Sequence, residues 1–62
     1  MSDEFVVLDV ETVTETDMAV LFNDGDQEFW VPKSLIDGEW PDAGDTGSVM
    51  VQEWFAVKEG LV

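Results

Sequence analysis

The chain has no cysteine, no histidine, no tyrosine and no arginine; its only cations are Lys33 and Lys58. Without cysteine there is no disulfide to staple a 62-residue domain that sits near the lower size limit for folding unaided. Without cysteine and histidine the usual soft metal ligands are missing as well. With two lysines there is no basic surface to grip phosphates, so neither nucleic acid nor an anionic membrane is an expected direct ligand. An enzyme needs a nucleophile with a base, a tuned acid/base pair or a metal, and the inventory supplies only carboxylates and a few hydroxyls. Carboxylate pairs arise by chance among fifteen Asp and Glu, so they do not by themselves mark an acid and a base. The expectation is a non-catalytic protein with no catalytic residue, cofactor or metal.

What the chain does have is acid and aromatics. Fifteen carboxylates against two cations give a net charge of −13, while 45% of the residues are hydrophobic, including three tryptophans and four phenylalanines. The apolar share is too high and too regularly placed for a disordered acidic tail. A small core built on aromatics can hold a single domain over residues 1–62, and self-association is a second route to stability. The start, Met1-Ser2-Asp3-Glu4, has no basic region, the apolar run Phe5 to Leu8 is too short for a signal peptide, and no segment reaches transmembrane length. A cytoplasmic protein is expected.

Alternation predicts a strand over Phe5 to Thr14, with Val6, Leu8 and Val10 on a core face and Phe5, Val7, Asp9 and Glu11 opposite. Two apolar runs, Met18 to Phe22 and Phe29 to Val31, flank Asn23-Asp24-Gly25-Asp26 and predict a hairpin. Asp-Gly is a signal for a two-residue type I′ turn. Centred on Asp24-Gly25, that turn sets Val20 opposite Phe29, Met18 opposite Val31 and Ala19 beside Trp30. Pro32 ends this strand or marks a sheet edge. Ser34 to Asp37 resembles a helical turn capped by Ser34 and stopped by Gly38. A short strand follows at Ser48 to Gln52, then a helical segment over 53–59 with Gly60 as terminator and Trp54 and Phe55 as core. The sum is an all-β fold: a four-stranded antiparallel meander, SH3-like or a partly closed small barrel, with short helical turns near 34–37 and 53–59.

Asp24, Asp26 and Glu28 have the alternate spacing that opens a calcium loop, but no glycine or closing glutamate follows at the required positions, and a hydrophilic hairpin tip explains them better. Lys33, beside Ser34, reads as local charge balance. Trp30 and Trp40 are the aromatics expected to be partly exposed, and exposed tryptophan is enriched at binding hot spots. Eleven of the fifteen carboxylates fall in three clusters: Asp9, Glu11, Glu15 and Asp17, then Asp24, Asp26 and Glu28, then Asp37, Glu39, Asp42 and Asp45. Alternate strand residues such as Asp9 and Glu11 stand about 6.7 Å apart, near the phosphate spacing of a nucleic-acid strand. The charge also exceeds the roughly 2 to 8 units that solubility asks of a small domain.

From Ala19-Val20-Leu21-Phe22 through Asp24-Gly25 to Phe29-Trp30-Val31-Pro32-Lys33-Ser34-Leu35-Ile36, the chain resembles a module of small phage and prophage proteins. In that module a segment similar to Val51-Gln52-Glu53-Trp54-Phe55-Ala56 and Lys58-Glu59-Gly60-Leu61 follows. The resemblance covers about two-thirds of the chain and implies a phage-like origin without assigning site residues. The insert from Trp40 to Asp45 and the excess of acid depart from it. In size, acidity and β content the chain also looks like phage anti-CRISPR and anti-restriction proteins that mimic DNA. The expected partner is then a host protein with a basic nucleic-acid-binding surface, met in the host cytoplasm. The alternative is an accessory interaction module that docks through an apolar patch around Trp30, with its acidity reflecting solubility or a salt-loving setting; the absence of arginine speaks mildly against the latter. A homodimer fits either reading.

Overall fold

The computed structural model describes residues 4–62; Met1 to Asp3, part of the acidic start noted above, lie outside the described residues. The fold is mainly β. Strands β1 (Phe5–Glu15), β2 (Ala19–Asn23), β3 (Glu28–Pro32), β4 (Ile36–Asp37) and β5 (Thr46–Gln52) form one antiparallel sheet in the order β3-β2-β1-β5-β4, and helix α1 (Glu53–Lys58) follows β5.

Five strands replace the expected four, and their order is not a simple meander. β1, β2 and β3 are consecutive neighbours, but β5 returns to the far side of β1, pairing Phe5 with Gln52 through Glu11 with Thr46. Among the described residues no ladder joins β3 to β4, so the strand order is linear and the sheet is not a fully closed barrel. The expected helical turn at 34–37 is replaced by a 3-10 turn over Lys33–Leu35 entered from Pro32, with no side-chain cap from Ser34. Ile36 and Asp37 instead pair with Val51 and Met50 of β5, because the branched apolar side chain of Ile36 packs against the core from an extended backbone.

The β2–β3 hairpin keeps its expected faces but not its register. Val20 faces Val31 and Phe22 faces Phe29; Leu21 lies beside Trp30 and Ala19 beside Pro32. The loop is Asp24 to Gln27, closed by Asp24 N–H to the Gln27 carbonyl at 3.1 Å. A type I′ turn needs positive φ at both central residues, and of the expected pair only Gly25 has it, at 100°. The side chains of Asn23 and Asp24 stabilise the longer loop: Asn23 Oδ1 accepts from Gly25 N–H at 2.7 Å, and Asp24 Oδ1 from Asp26 and Gln27 N–H at 2.9 Å each. Met18, expected in the core, is displaced beyond its end and is 78% exposed.

β1 carries an extra residue at Val13: Thr12 pairs with Phe22, but the next pair is Thr14 with Leu21. Such a bulge shifts the side-chain alternation by one residue. Before it, Val6, Leu8 and Val10 pack on or into the core, as expected, and Thr12 continues that face. After it, Thr14 joins the outer face and Glu15 turns to the core side, opposite Val20.

The core holds Val10, Val20, Phe22, Phe29, Val31, Val49, Val51, Phe55 and Ala56. α1 contributes Phe55 and Ala56 and packs against β5 and β1. It ends in a Schellman arrangement, with Gly60 N–H bonded to the Val57 carbonyl and Leu61 N–H to the Ala56 carbonyl. Trp54, expected as core, lies on the outward side of α1, one residue from Phe55, and its indole donates to Gln52 Oε1. Gly47 is needed where Pro41 crosses β5, since a Cβ there would stand 2.8 Å from Pro41 Cγ.

Candidate functional site

The β ladders set which carboxylates share a surface. On the outer face, Asp9 stands beside Ser48, Glu11 between Asn23 and Thr46, Glu28 beyond Asn23, and Asp37 beside Met50. Asp9 and Glu11 are separated along β1 by about 6.7 Å, and Glu28 lies two strands from Glu11, about 10 Å across the sheet. All four are exposed. Among the described strand residues, none on this face is a cation.

The hairpin loop leans over one end of this row. Asp9, Glu11 and Asp24, with Asn23, Thr46 and Ser48, line an open cleft of about 520 Å³. Hydrogen bonds from the Asp26 and Gln27 amides hold the Asp24 carboxyl below the usual aspartate range. Its charge is therefore fixed in place by the loop it organises. Asp26 is exposed in the same loop and Asp17 in the turn between β1 and β2. Among the described residues no three acidic side chains converge to hold a metal ion.

Glu15, Glu39, Trp40 and Asp42 do not join that face; with Gly38 they line a second hollow of about 360 Å³ at the other end of β1. Here the bulge at Val13 has its effect. It aims Glu15 at Lys33 Nζ, 2.8 Å from Oε2, while Trp40 Nε1 donates to Oε1 at 3.3 Å and Lys33 sits 5.7 Å from the Trp40 ring centroid. This triad was not expected from the sequence, in which the three residues are far apart. Trp40 is only partly exposed and packs against the core. Asp45 is exposed, but its backbone is tied to β1 through its carbonyl, which accepts Thr12 N–H at 3.0 Å. Trp30 is 47% exposed on the outer face, with Leu21 and Pro32 as neighbours.

No protein-family model, curated protein or solved structure matches the chain. The side chains offer an anionic sheet face flanked by an exposed indole. No helix among the described residues is long and apolar enough to cross a membrane.

The triad gives a pH signature. The hydrogen bond from Lys33, then that from Trp40, lowers the Glu15 pKa below its ordinary 4.5. A depressed folded-state pKa adds stability that is present above the unfolded value and lost as pH falls through the folded one. The Glu15→Gln variant is therefore expected to melt below the wild type at pH 7, with the gap closing below about pH 4.5. Melting curves at pH 7 and pH 3 check this; a gap that stays constant with pH would remove the triad from the account.

Proposed function

We propose that the protein is a non-catalytic binder that presents the acidic outer face of its sheet to the basic nucleic-acid-binding surface of a host protein. The phage-like resemblance supplies the setting: an inhibitor of a host defence or nuclease complex. The observation that carries the reading is that Asp9, Glu11 and Asp24 line one open cleft, with Glu28 nearby on a face that bears no cation among the described strand residues. Carboxylates at about 6.7 Å along a strand meet the Lys and Arg that otherwise hold successive phosphates. Long-range attraction from a net charge of −13 speeds the encounter and weakens with salt.

A tagged pull-down from host lysate across a salt series, with double-stranded DNA as competitor, tests this. The expected partner is a nucleic-acid-binding protein that DNA displaces. The triple variant Asp9→Asn, Glu11→Gln, Glu28→Gln should retain it about tenfold less, taking three exposed pairs at roughly 0.5 kcal/mol each. Retention indifferent to DNA, salt and the triple change would reject mimicry. The exposure of Trp30 favours a second reading, docking through an apolar contact, in which Trp30→Ala abolishes retention and the triple variant keeps it.

A further inference from the structure

The hairpin register decides which backbone groups of β3 are free. Asp24 N–H bonds the Gln27 carbonyl and Lys33 N–H bonds the Met18 carbonyl, and both pairs continue the β2–β3 ladder. Antiparallel ladders alternate hydrogen-bonded with non-hydrogen-bonded pairs. Phe29 and Val31 therefore direct their N–H and C=O to β2, while Glu28 and Trp30 turn theirs outward. β3 is the outermost strand of the sheet on this side. Among the described residues no backbone bond of a turn, loop or cap engages the outward groups of Glu28 or Trp30.

We propose that an extended segment of the partner, bearing Lys or Arg at alternate positions, adds to the β3 edge as a further strand. This rests on the reading that the partner is basic, and specifies how it is held. Main-chain bonds to Trp30 and Glu28 supply an anchor that carboxylates alone lack, and alternate side chains of the incoming strand share the outer face with Trp30. An arginine there can stack on the exposed indole. Charge selects the occupant: every charged residue from Ala19 to Pro32 is a carboxylate, namely Asp24, Asp26 and Glu28. A second copy of this chain would bring a further −13, which opposes self-pairing. Pro32, which has no N–H, limits the usable edge at one end.

The probe is a capped nonapeptide of alternating valine and arginine, with a valine–glutamate counterpart as control. At ten times its dissociation constant the arginine peptide should slow amide exchange of Trp30 and Glu28 about tenfold, matching the fraction left unbound. The control should leave both unchanged. Trp30→Pro and Trp30→Val both remove the indole, but only proline removes the outward N–H; the valine variant should keep binding and the proline variant lose it. Unchanged exchange at both amides, equal protection by both peptides, or protection that grows with protein concentration alone would each overturn the proposal, the last in favour of a dimer. If the edge stays unprotected while DNA still displaces the lysate partner, strand addition fails and the acidic-face reading stands. The exchange measurement uses the wild-type chain and does not depend on either variant folding.

Discussion

Phe22→Ala is expected to leave the chain unfolded at room temperature. Phe22 is fully buried, and its ring meets that of Phe29 at 6.2 Å in a tilted contact. Truncating a buried phenylalanine costs about 3–5 kcal/mol from lost transfer energy and the cavity left behind. A domain of this length holds only about 3–9 kcal/mol in total at roughly 0.05–0.15 kcal/mol per residue. The loss is thus comparable to the whole stability, and no disulfide holds the remainder together. Far-ultraviolet circular dichroism and urea titration check it. A cooperative transition with an unchanged midpoint would mean that Phe22 is not the centre of the core.

Thr12→Val should have the opposite sign. Thr12 is fully buried among apolar side chains, and its Oγ1 has no hydrogen-bond partner among the described residues. Its backbone is already engaged, with N–H bonded to the Asp45 carbonyl and C=O to Gly44 N–H, so the side chain can change without loosening β1. A buried hydroxyl without a partner forfeits its hydration, and a methyl of similar shape does not. The gain should be about 1 kcal/mol, which for a domain this size raises the melting temperature by roughly 4–8 °C. Thr12→Ser, which keeps the hydroxyl and loses the methyl, should melt lower than the wild type. If valine lowers the melting temperature, the hydroxyl has a bonding role that the structure does not display.

The contrast between faces and partners shows what was legible in the sequence. Period-two alternation put Val20, Phe22, Phe29 and Val31 on one face, and they are buried together. Their cross-strand partners differ from those expected because Asp24-Gly25 reads as a two-residue turn, whereas Asn23 and Asp24 side chains hold a four-residue loop. That change moves the register by two, which preserves every face and alters every pair. Trp54 departs from its expected core position because only one side of α1 meets the sheet, and that side takes Phe55 and Ala56. The pairing of β5 with β1 joins distant parts of the chain and has no local signal.

The site divides in the same way. Asp9 and Glu11 follow directly from alternation in β1 and do share the exposed face. Glu15 belongs to the same sequence cluster, yet it faces the other side, because an extra residue at Val13 reverses the alternation beyond Thr12. Nothing in Thr12-Val13-Thr14 announces a bulge. The triad of Glu15, Lys33 and Trp40 was therefore invisible until the backbone path was known.

The strand order bears on how the chain reaches this structure. β1, β2 and β3 are joined by short turns and can pair early, but β5 must close a long loop to reach β1. While β5 is undocked, the Phe5–Val10 part of β1 lacks the neighbour it has in the finished sheet, leaving Val6, Leu8 and Val10 available to other chains. Asp9 and Glu11 lie on that same strand, the position of gatekeeper residues, where like charge opposes pairing with a second copy. Carboxylates on the outer face of the finished sheet are thus also placed to oppose aggregation of an unfinished one.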